Sequence, residues 1–196
     1  MLTNDKLDAD NLDTRRKREG ILFLILFALT IPAANWLIGN AGTTCVPNGP
    51  CLIPVAPGLM APSGVTMIGI ARVLRDLVQR RLGVGVAVGA ILAGAALSAL
   101  VAPPALVVAS AAAFLLSELA DFAVYTPLAR RRLVLAVVAS SLVGLVVDSI
   151  VFLWLAFGSL TFLPGQLLGK TWMVLLSIPF VVYLRLRDER IGMEPA

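Results

Sequence analysis

The segment FLLSELADFAVY, residues 114–125, sets Glu118 and Asp121 about one helical turn apart in an otherwise apolar run. Five more charges interrupt apolar stretches elsewhere: Arg72, Arg75, Asp76, Asp148 and Lys170. At the middle of a membrane each such group costs roughly 2.5–3.5 kcal/mol on insertion scales. They must therefore face one another or line a wet cavity. Two acids alone would hold a cation, but Lys170 and the two arginines would repel one. A mixed set of acid, amide and amine suits a neutral planar molecule with donors on one edge and acceptors on another. A guanine-like edge is such a surface. Its N1–H and exocyclic amine can bond in parallel to one carboxylate, and its carbonyl can accept from Lys or Asn. Phe114, Phe122, Tyr125, Phe152 and Trp172 lie near enough in sequence to stack on a ring, with packing against lipid as the alternative for each.

The elements that must position these residues follow from composition. The chain has 196 residues, of which 59% are hydrophobic and only 14% charged. A soluble domain carries about 25% charged residues, so this chain lacks the polar surface to cover a soluble core. It contains no histidine, which removes His-based metal sites and His general bases. Six apolar stretches are long enough to span a bilayer: 20–38, 61–78, 84–101, 105–125, 133–157 and 162–184. The expected fold is an all-α integral membrane protein, a six-helix transmembrane bundle. Residues 1–19 read as a disordered polar cytoplasmic tail, 20–184 as the membrane domain and 185–196 as a second cytoplasmic tail. The first stretch has a basic flank and small residues at Ala33 and Ala34, as a signal peptide would, but its long polar lead favours a retained span.

Basic clusters give the orientation. Arg15, Arg16, Lys17 and Arg18 precede the first span. Arg80 and Arg81 follow the second, Arg130, Arg131 and Arg132 the fourth, and Arg185, Arg187 and Arg190 the sixth. All lie at one end of a six-span bundle, and the loops at the other end carry no Lys or Arg. The positive-inside rule then places both termini in the cytoplasm. The expected location is a prokaryotic inner or plasma membrane, as a multi-pass protein. The net charge of +4 is explained by topology and by contact with anionic lipid, and calls for no nucleic-acid partner.

The outer loop holds both cysteines, in CVPNGPC. Its Pro, Asn and Gly residues favour a turn that would bring Cys45 and Cys51 together as a disulfide on the oxidising side; two unremarkable small residues are the alternative. Two thiols without histidine make an incomplete metal site, so no metal and no cofactor are expected.

Helical spacing assigns the faces. Arg72, Arg75, Asp76 and Gln79 form one stripe, and Ser117, Glu118, Asp121 and Tyr125 another. Ser141, Gly144, Asp148 and Phe152 form a third, and Gln166, Lys170 and Ser177 a fourth, while Asn35 adds an amide to the first span. The third span carries only small residues, such as Gly85, Gly89, Gly94 and Ala95, and reads as a close-packing helix. Salt bridges such as Asp148 with Lys170 and Arg72 with Glu118 would account for single residues. A central polar cavity accounts better for the whole set, because the charges are unequal in number.

The order and spacing of four segments resemble the VUT family, also called the queuosine precursor transporter family. These are Asn35; RDLVQRRLG with Asp76; SELADFAVYTPLARR with Glu118 and Asp121; and ASSLVGLVVDSIVFLWLAFG leading to GQLLGKTWMVLLSIP, with Ser140, Gly144, Asp148, Lys170 and Pro179. The family is distantly similar to the substrate-binding subunits of energy-coupling-factor transporters. Three positions depart from its pattern. Gly69 stands where a proline is usual, Arg75 where a small polar residue is usual, and Glu118 where glutamine is frequent. The resemblance implies import of 7-cyano-7-deazaguanine or 7-aminomethyl-7-deazaguanine, with Asn35, Asp76, Glu118, Asp121, Asp148 and Lys170 as the substrate-binding set and no enzymatic activity.

Other readings are a subunit binding another purine-like or vitamin-like solute, or an assembly subunit that carries nothing. An intramembrane hydrolase built on Asp121 with Asp148, or on Ser140 with Lys170, lacks supporting motifs. No G-x-x-x-x-G-K-[ST] occurs, so the energy source and any energising partner are unknown.

Overall fold

The computed structural model describes residues 2–46, 50–102 and 106–196, with side chains from Asp10 onward. Pro47, Asn48 and Gly49, and the Pro103-Pro104 break, lie outside the described residues. Among the described residues there are six helices: α1 (Leu2–Asn40), α2 (Val65–Leu82), α3 (Val84–Val101), α4 (Val107–Ala129), α5 (Leu133–Phe157) and α6 (Leu163–Ile191). Between α1 and α2 lie β1 (Thr44–Cys45), β2 (Cys51–Ala56) and β3 (Leu59–Pro62).

The helical boundaries follow apolar length. The third and fifth expected spans coincide with α3 and α5. The second does not, because residues 61 and 62 belong to β3 and the helix instead runs on through Arg80 and Arg81. Gly83, at φ 87°, joins α2 to α3 with no intervening loop, a backbone region that favours glycine. The polar start expected as a disordered tail is helical here from Leu2. Ion pairs one turn apart support its described part: Asp13 with Arg16 at 2.7 Å and with Lys17 at 2.6 Å.

Among the described residues five helices are long and apolar enough to cross a membrane, and α2 is not one of them. The difference from six apolar spans has a physical cause. Helix α2 lies at the centre and contacts α1, α3, α4, α5 and α6. Arg72, Arg75, Asp76, Gln79 and Arg81 are all buried on it. A helix surrounded by protein need not be apolar, because its polar groups meet other helices rather than lipid. The outward faces of the others are apolar, with Leu100, Val108 and Leu176 exposed. Trp36 and Trp154 are exposed towards one end of the bundle and Tyr183 towards the other, the placement favoured at membrane–water boundaries.

The small antiparallel sheet, in the order β1-β2-β3, was not expected from the sequence. Pro57 and Gly58 form its second turn, with Gly58 at φ 73°. The sheet sits on the end of the bundle away from the arginines and contacts α1 and α6. The Ser63 hydroxyl donates to the Leu37 carbonyl at 2.7 Å, which ties the strand exit to α1. A Cβ at Gly165 would collide with the Met60 carbonyl, so glycine there lets α6 meet β3. Cys45 and Cys51, paired across β1 and β2, are joined by a disulfide.

The small residues of α3 do not all pack. Gly94 abuts Phe114 and Ile31, whereas Gly85 and Gly89 have nothing within 4 Å of a Cβ position. Gly94 shares the buried face of α3 with Ala87, Ala90, Ile91 and Ser98, and Gly85 and Gly89 lie off that face.

Candidate functional site

Seven charged side chains lie in the middle of the bundle, and all seven make ion contacts. Arg75 stands at the centre of three carboxylates. Its Nε donates to Glu118 Oε2 at 3.1 Å, Nη1 lies 3.0 Å from Asp76 Oδ1, and Nη2 lies 2.6 Å from Asp121 Oδ1. The Phe122 and Tyr125 rings lie 6.0 Å and 5.7 Å from its guanidinium carbon, within cation–π range. The Tyr125 hydroxyl donates to the Asp76 carbonyl at 3.0 Å.

Arg72 lies between two carboxylates and close to neither. Its Nη1 is 3.7 Å from Glu118 Oε1 and its Nη2 is 3.8 Å from Asp148 Oδ1. Nη2 also donates to Ser117 Oγ at 3.4 Å. The Arg72 side chain reaches this position across Gly144, where any Cβ would collide with Nη1.

Lys170 is fully engaged. It donates to Asp148 Oδ2, to Ser149 Oγ at 2.8 Å and to Gln166 Oε1 at 2.9 Å. These are the three donors that an ammonium has. The ion-pair reading set aside for the whole set therefore describes every member of it, including the Asp148–Lys170 and Arg72–Glu118 pairs.

A cavity adjoins this network. Its space for a water-sized sphere is about 80 Å³, below the roughly 300–1,000 Å³ usual for small-molecule sites. Asn35, Asp148, Gln166 and Lys170 give it polar groups, and Phe114 and Phe152 give it rings. Pro62 of the sheet also lines it, so it lies towards the end away from the arginine clusters.

The structure thus divides the six expected site residues. Asn35, Asp148 and Lys170 line the cavity, while Asp76, Glu118 and Asp121 do not. Asp148 is 8% accessible and Asp76 and Asp121 are 0%, while Lys170 and Glu118 are alike at 2%. Asn35 donates from Nδ2 to the Ile31 carbonyl at 3.0 Å. Of the five aromatics considered for stacking, Phe114 and Phe152 line the cavity, Phe122 and Tyr125 surround Arg75, and Trp172 is half exposed on the outside of α6. Gln166 was visible only as part of a stripe, and its spacing of four from Lys170 was the signal that it shares the lysine's face.

The hydrolase pairings are not assembled. Lys170 bonds Ser149, whereas Ser140 lies against Asp76 at 3.5 Å. Asp121 and Asp148 are held by different cations, Arg75 and Lys170.

A second charged cluster lies at the arginine end and was read from the sequence as topology alone. Arg81 Nη1 and Nη2 donate to the two oxygens of Asp188, each at 2.8 Å, and its Nε donates to Glu19 at 3.1 Å. Arg187 reaches the same Glu19 oxygen at 2.6 Å, and Arg80 reaches Asp188 at 3.1 Å. This clamp ties α1, α2 and α6 outside their apolar stretches. Burial alone would raise the Asp188 carboxyl, but hydrogen bonds from Arg81 and Arg187 and the charge of Arg80 hold it below its ordinary 3.8. Glu19 is likewise below its ordinary 4.5: its burial is outweighed by Arg187, Arg81 and Arg15.

Residues 90–184 match the model of a family described as "Putative vitamin uptake transporter". Over that segment the chain is similar to this family. The vitamin uptake transporter match spans α4 and α5 in full and α6 through Leu184, so it includes Glu118, Asp121, Asp148 and Lys170. Asn35 and the whole of α2 precede it. Comparison with curated proteins and comparison with solved structures each return no match.

Proposed function

We propose that this vitamin uptake transporter relative imports a queuosine precursor, 7-cyano-7-deazaguanine or 7-aminomethyl-7-deazaguanine, through the cavity beside α5 and α6. The observation that carries this reading is the Asp148–Lys170 pair at the cavity wall, with the Phe114 and Phe152 rings on the same cavity. Asp148 would take the N1–H and amine edge of the base. Lys170, Gln166 or Asn35 would meet its carbonyl. Because the Lys170 donors are all committed, a solute carbonyl gains one only by displacing Asp148, Ser149 or Gln166.

Asp76, Glu118 and Asp121 act from behind the wall in this reading, through Arg75 and Arg72. Both termini face the cytoplasm and the sheet faces outward, since every basic cluster lies at the opposite end from Cys45 and Cys51. The chain then resides in the cell membrane of a prokaryote as a multi-pass protein.

The test is direct binding of purine and deazapurine bases to purified protein in detergent. The deazaguanines should bind, and an analogue lacking the exocyclic amine should lose at least tenfold, since a hydrogen bond to a charged group contributes roughly 1.5–3 kcal/mol. Asp148→Asn should fold, by size exclusion, and lose the same discrimination. Equal binding of both bases by wild type would remove the basis for the assignment.

A further inference from the structure

The buried charges do not balance. Arg72, Arg75 and Lys170 face Asp76, Glu118, Asp121 and Asp148. Among the described residues the other buried charges, Arg81 and Asp188, belong to the clamp at the arginine end. One carboxylate in the middle of the bundle therefore has no cation of its own. A net buried charge is costly in an apolar medium, by several kcal/mol per ion even after relaxation. The bundle can hold this set at low cost only with one further positive charge.

The geometry locates the shortfall. Asp148 has Lys170, and Glu118 receives the well-formed Arg75 Nε bond and also faces Arg72. Asp76 and Asp121 are left to the two terminal nitrogens of Arg75. Both are 0% accessible. Neither Asp121 oxygen makes an aligned hydrogen bond, nor does Asp76 Oδ1, nor do the terminal nitrogens of Arg75. The remaining neighbours supply no charge: Tyr125 spends its hydroxyl on the Asp76 carbonyl, and Ser140 approaches Asp76 Oδ2. Among the described residues the carboxylates do not converge as the ligands of a metal ion. A proton needs no such convergence.

We propose that Asp76 and Asp121, on either side of Arg75, hold one exchangeable proton, which makes this cluster a proton site distinct from the cavity. The proton neutralises one carboxylate and turns one of its oxygens into a donor. The site connects to the cavity through one side chain, Arg72, which approaches both Glu118 and Asp148.

The experiment is infrared spectroscopy of the purified protein in lipid, titrated over pH in water and in deuterium oxide. The probe is the carbonyl stretch of a protonated carboxyl, which shifts on deuteration. Wild type should show one buried protonated carboxyl at neutral pH that is lost in the alkaline arm. Asp121→Asn should show none, because the charges then match. Lys170→Met should show two, because the shortfall doubles. A wild-type spectrum with no protonated carboxyl at any pH at which the protein stays folded would overturn the proposal, whether or not the variants fold. A wild-type band that persists unchanged in both Asp76→Asn and Asp121→Asn would overturn the assignment to this pair.

Discussion

Arg75 Nε donates to Glu118 Oε2 at 3.1 Å, a buried charged contact that joins α2 to α4. Arg75 also keeps Asp76 at 3.0 Å and Asp121 at 2.6 Å, whereas Glu118 has only Arg72 besides, at 3.7 Å.

That pairing predicts a non-additive mutant cycle. Arg75→Ser alone should destabilise the protein by roughly 3–5 kcal/mol, the cost of leaving buried charges without their partner, whereas Glu118→Gln, which leaves Arg75 its contacts with Asp76 and Asp121, should cost less. The double variant should be more stable than Arg75→Ser. Thermal unfolding in detergent, followed by size exclusion, reads this directly. Strict additivity would show that the two side chains do not depend on each other.

Gly144 and Gly89 should respond in opposite ways to alanine. At Gly144 a Cβ meets Arg72 Nη1, and behind it Asp121 Cβ and the Ser117 carbonyl lie at 3.0 Å and 3.1 Å. The arginine can swing away but the α4 backbone cannot, so Gly144→Ala should cost roughly 1–3 kcal/mol. At Gly89 nothing stands within 4 Å, so Gly89→Ala should be neutral or stabilising by up to about 1 kcal/mol through helix propensity. Melting temperatures of the two variants side by side decide the matter.

The clamp of Arg81, Asp188, Glu19 and Arg187 should lend acid sensitivity to the arginine end. Asp188 and Glu19 are held below their ordinary values of 3.8 and 4.5 in the folded protein. Their stabilising effect is therefore complete above those values and is lost as pH falls through the lower, native ones. Wild type should lose thermal stability as the medium is acidified through this window, and Asp188→Asn should lose less across it. Parallel pH profiles for the two proteins would show that the clamp contributes no pH dependence.

Orientation is checked with the outer cysteines. After mild reduction of intact cells, a membrane-impermeant thiol reagent should label Cys45 and Cys51 from outside. Labelling only after the membrane is breached would reverse the proposed topology.

Much of the helical framework is legible in the residues, and the reasons differ by element. Helices α3 and α5 match their expected bounds because each is apolar along most of its length, with Asp148 the one charge in α5, and ends at a change of composition. The inward direction of the charged stripes was also legible, since periodicity fixes which side chains share a face. Which helix those faces meet was not. Arg75 and Glu118 are 43 residues apart, and nothing local records their contact. The sheet escaped because residues 44–62 are rich in proline and glycine and too short to show a clear alternation. Gly85 and Gly89 misled because a small residue reads the same in sequence whether a helix or lipid lies beside it.

The central position of α2 bears on how the chain is made. Arg72, Arg75 and Asp76 emerge from the ribosome before Glu118, Asp121, Asp148 and Lys170 have been synthesised. At that moment α2 carries its charges without the partners on α4, α5 and α6, each at a penalty of roughly 2.5–3.5 kcal/mol in lipid. It cannot partition into the bilayer as an independent segment. It must be retained beside the insertion machinery, in a polar shelter, until α4 and α5 arrive to accept it. Truncation after α3 should leave a nascent chain whose second helix is not integrated, although the completed protein holds that helix at its centre.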